Sequence, residues 1–298
     1  MEKVKIILDT DIGDDVDDSF ALALALKSPE IELIGVTTVY KNCAQRAKIV
    51  KAELAAFGRE DIPVYAGQDA ALCGLWSQFP YEKTCKDGKP YLTAYDEGMT
   101  VEADGNDAAG FILDMAEKYP NEIVLVAIGP FTNLAVAYQR DPEKFKKLKK
   151  VFLMGGSAGN IREWNILCDP EAAQIVVKID VPIQIVTLDC THRCEMKQKY
   201  LDALEHLHGK EGEFLRKMFA CWKANNTRIS QMHDALVVAE TYRTFCSYEK
   251  RNVFVPVEQE LRGYMISTVE NYGNLPVLDV AVSVDGDELM DHLFKRLS

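Results

Sequence analysis

The chain has 298 residues, 48% hydrophobic and 27% charged, enough to bury a large core in one domain or two small ones. Its 46 acidic against 34 basic side chains give a formal charge of −12, which sets nucleic acid and anionic membrane surfaces aside as partners. It opens Met1-Glu2-Lys3-Val4 without a leader-like apolar region, and no run reaches the length of a membrane span, so a cytoplasmic location is expected.

Apolar runs alternate with amphipathic stretches from the first residues onward. Strands are expected at Val4–Leu8, Glu32–Thr38, Pro63–Tyr65, Ile123–Ile128, Val151–Met154 and Ile183–Thr187. Helices are expected between them at Ser19–Lys27, Ala44–Phe57, Asn106–Lys118, Asn133–Tyr138 and Pro170–Lys178. Aliphatic runs without alternation suit a parallel sheet covered on both faces, so the expected fold is α/β, doubly wound and mostly parallel, with flanking helices. Gly129-Pro130 and Gly155-Gly156 end two of the strands. Residues 196–245 read as wholly helical, and the tail as strands at Asn252–Val257, Arg262–Val269 and Val280–Val284 before a helix at Glu288–Arg296. Gln78–Thr100 reads as a long loop suited to a lid or an oligomer contact. With no internal repeat or linker, a single domain over 1–298 is expected. The eight cysteines never form Cys-x-x-Cys and read as reduced thiols; Cys190-Thr-His-Arg-Cys194 reads as packing rather than a soft-metal site.

The segment Leu8–Ser19 carries the most chemistry. Asp9, Asp11, Asp14, Asp15, Asp17 and Asp18 place six carboxylates in ten positions, between an apolar strand and the helix-periodic run Phe20–Leu26. Helix capping explains two such aspartates, not six. An acidic loop held between buried elements points to a hard divalent cation, and oxygen ligands favour calcium or magnesium over zinc. Ligands of open α/β sheets bind beyond the carboxyl ends of the strands. The other ends offer Thr38–Asn42, Ile128–Asn133 and Met154–Asn165, and His233-Asp234 opens a helix. These groups are carboxylates, amides and a histidine, with Lys41 and Arg162 the exceptions. Such a pocket should reject phosphates and accept a neutral polyol or a substrate that develops positive charge. Asn42 has a second reading as a helix N-cap, and His233 as a cap or core residue. Gly155–Gly159 lacks the Gly-x-Gly-x-x-Gly spacing of a dinucleotide loop.

Taken in order, these motifs resemble the inosine–uridine preferring nucleoside hydrolases across nearly the whole chain. The resemblance rests on Asp9-Thr-Asp11-Ile-Gly13…Asp17-Asp18-Ser-Phe-Ala21, Thr38-Val-Tyr-Lys-Asn42, Gly129-Pro-Phe-Thr-Asn-Leu-Ala135 and Met154-Gly-Gly…Asn160…Glu163-Trp-Asn165. Asp169-Pro-Glu-Ala172, Leu188-Asp-Cys-Thr-His192, His233-Asp234 and Val280–Asp285 add to it. It implies a calcium ion held by Asp11, Asp18, Asp234 and the backbone carbonyl of Ile128. It implies Asp11 as the base for water, Asp17 and Asn42 on the ribose diol, and Asn160, Glu163 and Asn165 on the 5′- and 3′-hydroxyls. The N-glycosidic bond of a ribonucleoside would break through an oxocarbenium-like state, with His233 assisting the leaving base. Nucleoside salvage and a homodimer or homotetramer are further implications.

Departures from the family pattern leave points open. Ile12 replaces a proline, and two additional residues separate Gly13 from the final acid pair. Counting from the strand makes Asp15 a ligand; counting back from the helix makes it Asp17 and Asp18, the preferred register. Lys41 stands where glycine is common, the Asn160–Glu163 stretch is short, Trp164 replaces phenylalanine, and a His-Gly motif is missing from 78–100. The nucleobase is therefore left open. Phe214, Met218, Phe219 and Trp222 read mainly as core, with Trp222, Asn225, Asn226 and Arg228 as candidates to face the base. Two other classes compete: a non-catalytic calcium-dependent nucleoside binder, and a haloacid-dehalogenase-type phosphatase using Asp9 and Asp11.

Overall fold

The computed structural model describes residues 3–73, 85–86, 89–90, 92–159 and 161–298. The strands in chain order are β1 (Val4–Thr10), β2 (Ile31–Thr38), β3 (Val64–Ala66), β4 (Cys85–Lys86), β5 (Lys89–Pro90), β6 (Ile123–Ala127), β7 (Lys150–Met154), β8 (Ile183–Val186), β9 (Cys246–Phe254), β10 (Ile266–Thr268) and β11 (Val277–Val284). Nine of them form one sheet in the order β10-β9-β11-β8-β7-β6-β1-β2-β3. The pairs from β3 across to β8 and on to β11 are parallel; the β11–β9 and β9–β10 pairs are antiparallel, so within this sheet β9 alone runs against the other strands. The α/β, mostly parallel expectation is met.

Alternation along each central strand explains the double coverage. Ile6 and Leu8 pack into one core with Val124, Val126, Phe152 and Met154. Their neighbours Ile7, Ile123, Leu125, Val151 and Leu153 pack into the core on the opposite face. Each such side chain contributes about 1.5–3 kcal/mol by leaving water.

Strand order reverses between β1 and β6: the chain builds β2 and β3 on one side of β1, then returns to build β6, β7 and β8 on the other. Loops leaving the carboxyl ends of β1 and β6 diverge there and leave a crevice, where α/β sheets bind ligands. The acidic segment and the Ile128-Gly129-Pro130 turn are those two loops. Gly129 is required by this approach, because a Cβ would stand 2.9 Å from the Asp11 amide nitrogen and 2.7 Å from a Val39 methyl.

Two buried helices bring the remaining acids to the crevice. Helix Asp17–Lys27 is apolar on every side from Phe20 to Ala25, and helix His233–Glu240 is equally enclosed. Having no solvent face, they pack against each other.

Several sequence-based boundaries need correction. The 196–245 stretch is three helices, Gln198–Glu205, Gly209–Asn225 and His233–Glu240, and not one helical block. Segment 226–232 interrupts it and forms a bridge between Glu195 and Gln231. The expected strands at 252–257 and 262–269 shift to β9 and to the shorter β10. Within the loop expected over 78–100, β4 and β5 pair as a small hairpin and residues 92–100 are irregular; 78–84, 87–88 and 91 lie outside the described residues. No described helix is long and apolar enough to cross a membrane.

Glu53, on helix Cys43–Ala56, is fully buried with Ser19 as its polar neighbour, and burial pushes its carboxyl well above the usual range. The folded state therefore prefers the neutral acid. That preference is intact below the ordinary carboxylate pKa and is lost as pH rises through the elevated one. Thermal unfolding of Glu53→Gln should match the native protein near pH 5 and exceed it by about 2 °C or more near pH 9. A gap that does not widen with pH would contradict this placement.

Candidate functional site

A cavity of about 850 Å³ opens at the crevice and is lined by Asp11, Asp14, Asp15, Asp17, Asp18, His233 and Asp234 on one side and by Ile128, Met154, Glu163, Trp164 and Asn165 on another. Trp222, Asn225, Asn226, Arg228 and His192 also line it. At its floor, carboxylate oxygens of Asp17, Asp18 and Asp234 lie within 4.8 Å of one another, the only such group among the described residues. All three side chains are buried, at 3%, 3% and 4% exposure, so solvent screening cannot account for their proximity.

Helix geometry creates this convergence. Asp17 and Asp18 occupy the first turn of one buried helix and Asp234 the first turn of its neighbour, so two positive dipole ends face the same acids. Thr10 Oγ1 donates to Asp18, and the Asp234 amide donates to Asp17 Oδ2 at 3.3 Å. These bonds do not neutralise the group. Burial, then repulsion from neighbouring carboxylates (Asp15 for Asp17, Asp11 and Asp17 for Asp18, Asp17 and Asp18 for Asp234), holds these three carboxyls well above their usual range. Asp11, 8% exposed, is raised to about 6 by burial, with Arg46 and Lys41 opposing and Asp14 reinforcing.

The donor set fits a hard cation: carboxylates only, converging, and without enough basic partners to balance them. Asp15 stands elsewhere. It pairs with Arg228, whose guanidinium lies 5.7 Å from the centre of the Trp222 ring. Of the expected ligands, Asp18 and Asp234 converge, joined by Asp17, which was expected on the diol; Asp11 lines the same cavity but, like Asp15, lies outside that group.

The opposite wall is tightly hydrogen-bonded. Glu163 caps helix Trp164–Cys168, its Oε1 accepting from the Asn165 amide at 2.9 Å and its Oε2 from Gly156 and Ile166, each at 3.1 Å. Burial nevertheless lifts it to about 7. Asn165 Nδ2 donates to the Ile128 carbonyl at 2.9 Å and to the Met154 carbonyl at 3.0 Å. Ile128, a ligand candidate, keeps a second lone pair. Asn42 caps helix Cys43–Ala56, accepting from the Gln45 amide at 3.3 Å. Asn160 lies outside the described residues.

His233 Nδ1 lies 2.7 Å from Thr191 Oγ1, and its ring is 5.5 Å from that of His192. Burial, then His192 and Arg228, pushes its pKa down to about 3, leaving a neutral imidazole. Cys190 and Cys194 are buried thiols. Asp9 has no exposure and accepts from Thr37 Oγ1 at 2.5 Å and Asn133 Nδ2 at 2.7 Å. It ties β1 to β2 and to helix Thr132–Arg140, and so cannot attack a phosphate, which removes the phosphatase reading.

Sequence reasoning missed Arg46 and the part played by Asp14. Arg46 is fully buried: Nε donates to the Tyr40 carbonyl at 2.6 Å, Nη1 to the Ile12 carbonyl at 2.7 Å and also to the Asp11 carbonyl, and Nη2 to Asp14 Oδ2 at 2.9 Å. Lys41 Nζ meets the same Asp14 carboxylate at 2.8 Å. Tyr40 and Lys41 both adopt left-handed backbone (φ 74° and 59°), at a cost of about 1–2 kcal/mol each. One signal was available: Arg46 precedes Ala47, Ile49 and Val50 on the buried side of an otherwise amphipathic helix.

Comparison with known proteins agrees with this geometry. The family model for inosine-uridine preferring nucleoside hydrolases matches residues 6–291. A probable uridine nucleosidase 2 of Arabidopsis thaliana is 31% identical over 99% of this chain and 98% of its own. A pyrimidine-specific ribonucleoside hydrolase of Escherichia coli is 32% identical over 72% of this chain and 68% of its own. Among solved structures, a purine-preferring ribonucleoside hydrolase from Gardnerella vaginalis superposes with a TM-score of 0.83 at 30% identity, covering 98% of each chain. A fold whose switch point gathers these acids, matched along nearly its full length, is that of an enzyme: the chain belongs to the inosine-uridine preferring nucleoside hydrolase family, a family of metal-dependent hydrolases.

Proposed function

We propose that the protein hydrolyses the N-glycosidic bond of ribonucleosides to free base and ribose, using calcium held at the floor of the cavity. The observation that carries this reading is the convergence of Asp17, Asp18 and Asp234 within 4.8 Å, buried beside Asp11 in one cavity. When bound, the cation supplies Lewis acidity, gripping vicinal ribose hydroxyls and making a neighbouring water more acidic. Asp11, Asp18, Asp234 and the Ile128 carbonyl are assigned to hold it.

The remaining chemistry belongs to the side chains. Asp11 takes a proton from the attacking water, whose oxygen bonds to C1′ as the C1′–N bond breaks. Asp17 orients the diol, helped by the Asn42 side-chain amide, whose Nδ2 is not the atom that caps the helix. Glu163 and Asn165, with Asn160 by its motif, hold the 5′- and 3′-hydroxyls. As the ring becomes oxocarbenium-like, the enclosed carboxylates stabilise its charge through a low-dielectric interior.

The electron pair of the broken bond leaves with the base, which takes a proton from solvent while Asp11 returns to solvent the one it took from water, so that the sum is nucleoside plus water to ribose plus protonated base. His233 sits against this cavity wall and assists that departure as a neutral group. Trp222, Asn225, Asn226 and Arg228 offer a ring face and polar groups to the base. Cytoplasmic nucleoside salvage, by a homodimer or homotetramer, is the setting this reading implies.

A panel of inosine, adenosine, uridine, cytidine and ribosyl nicotinamide should yield ribose and free base from at least one member, and chelation should abolish the yield. No reducing sugar from any of them, with calcium present, would sink the proposal. Asp11→Ala should lower kcat by about 10²–10⁴-fold, the usual worth of a general base. A variant within a few-fold of native would remove Asp11 from that role. In calcium titrations, Asp18→Ala should lose binding while Asp15→Ala keeps most of it; equal losses would favour the strand-side register.

A further inference from the structure

The structure assigns Arg46 a positioning role in this reaction: from within the core it fixes the Asp11–Asp14 turn against the Tyr40–Asn42 turn, so that the Asp11 carboxylate is aimed at the cavity before any cation arrives. The assignment rests on the hydrolase reading of the cavity and concerns a residue that touches neither sugar nor base.

Three observations support it independently. First, the guanidinium has no exposure, yet its donors reach backbone carbonyls of Asp11, Ile12 and Tyr40 and the carboxylate of Asp14. Burying an arginine this completely is costly unless its fork is filled, and here it is filled by the two turns that flank the catalytic acid. Second, the Tyr40–Asn42 turn contains backbone that needs external restraint. Tyr40 and Lys41 are left-handed without being glycine. The Tyr40 and Lys41 amides donate to Gln68 and Asp69 carbonyls at 2.9 and 2.8 Å, and Arg46 holds the Tyr40 carbonyl from the other side. Third, Asp14 belongs to the lengthened acidic loop and is bridged by Lys41 and Arg46 together. The extra loop residues thereby anchor the loop rather than add a ligand.

Shape and charge make separable predictions. A cation behind the basin repels a bound metal, so an effect of charge alone would make its removal tighten calcium binding. Loss of positioning weakens binding even when the charge remains. Arg46→Lys keeps the charge but cannot fill a four-acceptor fork.

The test compares native protein with Arg46→Lys; should the lysine variant fail to fold, Asp14→Asn, which also removes a negative charge beside the basin, is read by amide exchange alone. In the metal-free proteins, amide exchange should accelerate in peptides covering 9–18 and 36–43, with little change elsewhere. Titration with calcium chloride alone should show about tenfold or weaker affinity, the usual cost of losing a supporting partner of a metal ligand. At saturating calcium and nucleoside, kcat should still fall about tenfold or more, because Asp11 is no longer aimed. Unchanged exchange in both segments overturns the assignment. So does uniform loosening of the whole protein with native calcium affinity, which would mark Arg46 as a general core residue. If the native protein neither binds calcium nor cleaves nucleosides, the hydrolase reading fails on its own, and the exchange comparison still decides whether Arg46 holds the turns.

Discussion

Three carboxylates within 4.8 Å of one another, each under 5% exposed, cannot all be ionised in a protein interior without compensation. At an effective dielectric near 20, each ionised pair at that spacing costs about 3 kcal/mol, and Asp11 in the same cavity adds to it. Burial first, and neighbouring carboxylates after it, raise the pKa values of Asp11, Asp17, Asp18 and Asp234, so ionising them together calls for a compensating positive charge. The remaining architecture either creates the conflict or keeps it within bounds.

Its creation follows from topology. The reversal of strand order between β1 and β6 opens the crevice, and two enclosed helices that pack against each other carry Asp17, Asp18 and Asp234 in their first turns. Containment comes from fixed dipoles and one fixed charge. Both helix amino-termini face the acids, Thr10 bonds Asp18, and Arg46 lies behind the loop. Such interactions leave the acids short of balancing charge, which suits a site that holds a cation.

The parts legible from sequence were those with local signals. Aliphatic strands without alternation gave the parallel sheet, and six acids between strand and helix gave the basin. Asp17 and Asp18 converge with Asp234 because helix geometry carries them, whereas Asp15 sits on the turn and reaches Arg228. The illegible parts depend on contacts between distant segments. Arg46 looks like one more cation on an amphipathic helix until the turns it joins are placed beside it. Asn42 takes the capping one of its two readings, accepting from the Gln45 amide. Residues 196–245 read as continuous helix because the break at 226–232 is fixed by a pairing with Glu195, not by glycine or proline.

The account's central claim concerns what occupies the basin. The most direct measurement is a crystal structure of the protein grown with calcium and a ribonucleoside analogue that cannot be cleaved. Expected is one ion bound only through oxygen at about 2.3–2.6 Å, contacted by Asp18, Asp234 and Asp11 and by both vicinal ribose hydroxyls. A basin without an ion, its acids hydrogen-bonded to one another and the sugar bound elsewhere, would contradict it.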